Sequence, residues 1–208
     1  GRLEAEVIAQ MDRSDIYYCA VDKDAGAVEE NRLVMESHGL KGRGFVYSRN
    51  VAEKSDLDAV LAAAGRHFGV RFDGVSVAVC LGIAEYLDMG TRSNETLARL
   101  LAAIHGCTRD DGNLIISQTD YHDRVRFLER GLSWHMRLRG IDEVATEVEK
   151  AGWHISVCEH EPMELISVCL ASKTAVGRRR FDAAAPLAPP RGAEGVATPR
   201  QRRRARSR

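Results

Sequence analysis

The chain predicts a doubly wound α/β fold: a mostly parallel sheet that ends in an antiparallel hairpin. Three observations carry this. In Ile16–Asn31 an apolar strand pattern ends on Asp22 and a helical pattern begins at once. Val75–Leu81 is a near-continuous apolar run, as expected of a strand buried on both faces. His154–Cys158 and Leu165–Ala171 are strand patterns joined through Pro162, too close for a crossover helix, so they should pair antiparallel.

The other elements follow in order. Leu3, Val7, Ile8 and Met11 give Arg2–Met11 a helical apolar face. Gly26–Ser37 reads as a helix with Asp24 as its N-cap and His38-Gly39 as its C-cap. Phe45–Tyr47 is a short strand, and Asp56–His67 is an alanine-rich helix. Asn94–His105 is a helix capped by Ser93 or Asn94. Asp110-Asp111-Gly112 is a turn, and Leu114–Ser117 is a strand. Val125–Arg139 and Ile141–Ala151 read as helices separated by Gly140. Regular alternation of this kind builds a parallel sheet with helices on both faces.

At 208 residues and 44% hydrophobic content, the chain suits one domain with a real core. No apolar run approaches the ~18 residues of a membrane span. The net charge of zero hides a division. From Arg178 onward there are ten arginines against Asp182 and Glu194, a net +8, so the preceding residues carry −8. Residues 1–172 are therefore expected to fold, and residues 173–208 to form a disordered basic tail. The tail ends in Gln201-Arg-Arg-Arg-Ala-Arg-Ser-Arg. Nucleic-acid contact is conceivable for such a run, but without aromatic residues for base stacking a solubilising tail fits better. Cys19, Cys80, Cys107, Cys158 and Cys169 form no CxxC pair, so no metal is expected. Reduced thiols and a cytoplasmic location are expected instead.

A carboxylate at a strand end, as Asp22 is, can accept both hydroxyls of a nucleotide ribose. The bland alternative is a carboxylate near a helix N-terminus, interacting with the helix dipole. The usual companion, a glycine-rich loop about 20 residues earlier, has no room before Gly1.

Taken in order, these motifs resemble the class I S-adenosylmethionine-dependent methyltransferases over residues 1–172. Gly1-Arg-Leu-Glu-Ala-Glu-Val-Ile is similar to the helix after that family's glycine-rich loop. Val21-Asp22-Lys23-Asp24 is similar to its second motif, and Tyr47-Ser-Arg-Asn50-Val51 to the turn after its third strand. Phe72–Leu87 is similar to its fourth-strand motif, and Asp111-Gly112-Asn-Leu-Ile-Ile to its fifth-strand turn and strand.

The resemblance implies that Gly1, Asp22, Lys23, Asn50, Val51, Leu81 and Gly82 bind the cofactor S-adenosylmethionine. Asp22 would take the ribose, Asn50 and Val51 would flank the adenine, and Gly82 would allow close approach near the sulfonium. Glu85, Tyr86 and Tyr121 would face the methyl acceptor. His122 is a candidate general base. Trp134 and His135 could cover the substrate, although core packing suits Trp134 better.

The resemblance also implies that the family's first, central strand is absent, leaving a gap between the strands at 16–21 and 75–81. Leu81-Gly-Ile-Ala-Glu-Tyr lacks the Asn/Asp-Pro-Pro-aromatic signature of amino-group methylation on DNA adenine or protein glutamine. A small-molecule or lipid acceptor is therefore expected. Two other classes stay open: a nicotinamide-dependent oxidoreductase, and a non-catalytic interaction module.

Overall fold

The computed structural model describes residues 2–11, 13–51, 54–89, 96–121, 127, 130–131, 135–162 and 165–174. Among these, the chain alternates helix and strand: α1 (Arg2–Gln10), β1 (Tyr18–Asp22), α2 (Ala25–Ser37), β2 (Gly44–Ser48), α3 (Lys54–Phe68) and β3 (Val75–Cys80). A 3-10 turn at Ala84–Tyr86 follows, then α4 (Leu97–Cys107), β4 (Thr108–Thr119), α5 (Ile141–Lys150), β5 (His154–His160) and β6 (Ile166–Ser172).

The strands form two sheets. β1 pairs parallel with β2. The other sheet runs β3-β4-β6-β5, with β3 parallel to β4 and the last two strands antiparallel to their neighbours in the order of a terminal hairpin. β1 and β3 are not hydrogen-bonded to each other, so among the described residues each presents an open edge. Between these two strands lies a gap without main-chain pairing among the described residues.

Side chains hold the two sheets in relation across this gap. Tyr17, just before β1, packs its ring 5.5 Å from that of Phe72, just before β3, and 4.7 Å from that of Phe68 on α3. Val51, just after β2, packs against the core cluster of the larger sheet, as does Ile83 after β3. The starts of β1 and β3 are thus neighbours, and the exits of β2 and β3 both pack on the main core. All four parallel strands open onto one edge.

The main core lies on one face of the larger sheet. Leu100, Leu101 and Ile104 of α4, and Val144 and Val148 of α5, close over Leu114, Ile116, Cys169 and Ala171. A smaller core of Ala5, Ala20, Met35 and Leu40 joins α1 and α2 to β1. The cap of α2 is as read from the sequence: Asp24 accepts the Ala27 N–H at 2.8 Å, and Gly39 adopts φ +71° beyond the helix end.

Four readings need correction. Thr96, rather than Ser93 or Asn94, caps α4, its hydroxyl accepting the Arg99 N–H at 3.2 Å. Asp110-Asp111-Gly112 lies inside β4, as a bulge where pairing with β3 slips from Val75–Thr108 to Val77–Asn113. Residues 135–140 are not helical. The backbone N–H groups of Arg137 and Arg139 reach the carbonyls of Glu85 and Thr119 instead of a preceding turn. Cys158 and Cys169 are not free thiols: the hairpin register sets them opposite each other, and they are joined as a disulfide. Beyond β6, the Lys173 N–H bonds the Gly112 carbonyl and the Thr174 hydroxyl bonds the Asp110 carbonyl.

The least obvious element of the fold is Arg139, whose side chain is 1% exposed. Its guanidinium donates to the Ala84 carbonyl at 2.7 Å, to Gln118 Oε1 at 3.2 Å, to the Leu87 carbonyl at 3.3 Å and to Asp88 Oδ2 at 2.5 Å. Asp88 sits at φ +62°, a strained conformation for a residue with a side chain. One buried cation thus pins the 84–88 turn onto the end of β4. Burial, then the nearby Arg137, lowers its pKa, while Asp88 and Glu143 oppose the shift.

Replacing Arg139 with Leu should strand Asp88 and the carbonyls of the turn. Urea unfolding should then show a loss of about 3–5 kcal/mol, the scale for breaking a buried charge pair. Arg139→Lys should not restore it, because one ammonium cannot reach four acceptors. Burial also pushes the thiols of Cys19 and Cys80 up from 9.0 to about 12. Because the folded values are raised, the associated stability is complete below pH 9 and disappears as the pH rises toward 12. Melting curves across that window should fall less steeply for a Cys19→Ala/Cys80→Ala variant than for the native chain.

Candidate functional site

In an open α/β sheet, ligands bind outside the carboxyl ends of the strands. That edge gathers most of the residues singled out from the sequence. Asp22 ends β1, opposite Ser48, which ends β2. The Arg49 N–H bonds the Asp22 carbonyl at 2.9 Å, which fixes Asn50 beside Asp22. Asp22 Oδ1 accepts the Asp24 N–H at 2.9 Å, orienting the half-buried carboxylate. Lys23 and Asn50 are exposed, and Val51 is half-buried against the main core.

The second half of the edge follows β3. Leu81 is exposed, and Gly82 adopts φ +69°, where a side chain would be strained. The Gly82 N–H is held by the Ser117 hydroxyl at 3.2 Å. A side chain at Gly82 would begin 3.9 Å from Glu85 Oε1. Glu85 is buried in the turn. Its Oε1 accepts from the Thr119 hydroxyl at 3.2 Å, and its Oε2 is buried with no hydrogen-bond partner among the described residues. Tyr86 and Tyr121 are exposed at the same edge. His135 is also exposed. Gly1, His122 and Trp134 lie outside the described residues.

Several groups here were not legible from the sequence. Arg139 reads there as one more arginine of a helix. Gln118, fully buried, reads as a strand residue; its side-chain amide also donates to the Arg137 carbonyl at 3.1 Å. His160, at the end of β5, lies 2.6 Å from Asp120, just after β4. This pair ties the hairpin to the strand end, across 40 residues of sequence.

A separate concavity lies at the other end of the strands. A groove of about 970 Å³, lined by Asp58, Arg66, Arg71, Arg109 and Asp111 among others, opens at the starts of β3 and β4. Its charged walls are largely matched: Arg109 pairs with Asp111 at 3.1 Å, and Lys54 with Asp58 at 2.6 Å. No group of three or more His, Cys, Asp or Glu side chains suited to a metal ion occurs among the described residues. No helix among them is long and apolar enough to cross a membrane.

Comparison with known proteins adds the fold's relatives. No protein-family profile matches the chain, and no curated protein sequence matches it. Solved structures do. A possible exported protein from Bordetella parapertussis superposes with TM-score 0.59 at 13% identity, over 81% of this chain and 58% of that one. An O-methyltransferase family protein from Burkholderia thailandensis gives 0.53 at 11% identity, over 83% and 55%. The magnesium protoporphyrin IX methyltransferase of Synechocystis, solved with S-adenosylhomocysteine, gives 0.53 at 10% identity, over 83% and 80%. The chain thus spans little more than half of the first two proteins. At these identities the likeness is one of fold: a mixed α/β architecture shared with S-adenosylmethionine-dependent methyltransferases.

Proposed function

We propose that this chain forms most of a methyltransferase that uses S-adenosylmethionine and modifies a small acceptor. The observation that carries the reading is that Asp22–Asn50 and Gly82–Glu85 both follow the carboxyl ends of parallel strands, in two sheets linked by the packing of Tyr17 on Phe72.

The residues present suit the cofactor. Asp22 keeps a carboxylate oxygen outside its bond to Asp24, at the height where a ribose would lie. Val51 offers an apolar surface beside it, and Asn50 a polar edge for an adenine amine. Gly82 leaves room for a bulky group against the end of β3. When bound, S-adenosylmethionine supplies an electrophilic methyl group. The protein's part is to hold the acceptor in line with that methyl, a gain of proximity that needs little covalent help. Leu81, Tyr86 and Tyr121 supply exposed apolar and aromatic surface for the acceptor.

We further infer that the slot between β1 and β3 takes one more parallel strand, joined to the start of α1. A strand–helix–strand connection through α1 into β1 would have the usual right-handed crossover. The unpaired strand edges, and the exposed Val77 and Val79 of β3 with Leu3 and Val7 of α1, support this. The same strand would bring a phosphate- or carboxylate-binding turn to the edge.

Two experiments test the proposal. Calorimetry with S-adenosylhomocysteine should give binding that weakens by about 1.5–3 kcal/mol in Asp22→Ala, as for a hydrogen bond to a charged group. Unchanged affinity, or a preference for NAD, contradicts the assignment. The second experiment compares residues 1–208 with a form extended upstream of Gly1 in a radiolabelled methyl-transfer assay. Only the extended form should turn over. Equal turnover by the shorter chain contradicts the inserted strand.

A further inference from the structure

One carboxylate oxygen of Glu85 is orphaned in the turn that follows β3. Glu85 is 7% exposed, and that oxygen has no partner among the described residues. An unpaired polar atom in the interior is costly, and an ionised one far more so. The nearest described arginines do not relieve it. Arg139 spends its side chain on Ala84, Leu87, Gln118 and Asp88. Arg137 gives Glu85 only its backbone N–H, to the carbonyl, and sends its guanidinium to Glu143 at 3.4 Å. Thr119 satisfies Oε1 alone.

The position of Glu85 separates it from the nucleoside half of the crevice. It lies three residues beyond Gly82 and is anchored to the end of β4 through Thr119, whereas Asp22 and Asn50 end the other sheet.

We propose that Glu85 recognises a basic nitrogen on the acceptor, so that the substrate is a small amine that arrives as a cation. This rests on the methyltransferase reading. A neutral hydroxyl would satisfy the orphaned lone pair but leave the buried charge unbalanced. An ammonium or amidinium group does both, through a charge-assisted hydrogen bond. The carboxylate is thus a selectivity device, its desolvation offset when a cation docks.

The test is calorimetry on the 208-residue chain with methylammonium, butylammonium and phenethylammonium, each beside the alcohol of the same shape. At least one ammonium should bind about tenfold or more tighter than its alcohol, the scale of a hydrogen bond to a charged partner. Glu85→Gln should reduce that preference to about twofold or less. The variant should also melt no lower than the native chain, because an unbalanced buried charge has been removed. Alcohols binding as well as ammonium ions, neither binding, or a preference that survives in Glu85→Gln would each overturn the proposal. So would a variant that melts several degrees lower, since Glu85 would then be a structural group. S-adenosylhomocysteine, tested on the upstream-extended form, separates the two readings. If it fails to bind while the ammonium preference holds, the methyltransferase reading falls and the cation site stands. If Glu85→Gln abolishes its binding, Glu85 belongs to the cofactor and the acceptor assignment falls.

Discussion

The buried guanidinium of Arg139 organises the part of this molecule where chemistry is expected. The exit of β3 must turn sharply, and its carbonyls at Ala84 and Leu87 point inward. Without a donor these groups would be stranded in the core, along with Asp88. Arg139 satisfies them together and is itself held by Gln118 from β4. The turn that presents Gly82 and Glu85 is therefore fixed by a residue more than 50 positions away in the chain. Neutralising Asp88 here also leaves Glu85 as the buried acid of this turn whose charge is not balanced.

The second constraint is the division of the sheet. Parallel strands are normally buried on both faces and paired on both sides. β3 instead carries two exposed valines and an open edge. The aromatic cluster of Tyr17, Phe45, Phe68 and Phe72 and the packing of Val51 keep the two sheets in register without main-chain bonds. On the proposed reading, that gap is where one more strand inserts. The groove at the opposite end lies at the strand starts, where paired charges line the walls.

Much of the architecture was legible in the sequence because it depends on local pattern. The apolar run at Val75–Cys80, the acid at the end of β1, the Asp24 cap and the close spacing of the last two strands each state their structure within a few residues. What sequence could not reveal depends on register and long-range contact. Cys158 and Cys169 read as two apolar strand residues, and only the hairpin alignment makes them partners. Arg137 and Arg139 continue a helical pattern, yet their N–H groups serve a turn and a strand end instead. Asp120 and His160 meet only because the antiparallel hairpin returns β5 to the side of the crevice. Within the site, the residues at strand ends were readable, whereas the network that holds them was not.

The central claim is that the ligand edge is the one where the parallel strands end. Amide chemical-shift mapping with S-adenosylhomocysteine, on the chain extended upstream of Gly1, tests it most directly. Shifts should concentrate at Asp22–Asp24, Arg49–Val51 and Leu81–Glu85. Shifts confined to Gly65–Gly74 and Gly106–Asp111, around the groove at the strand starts, would contradict it.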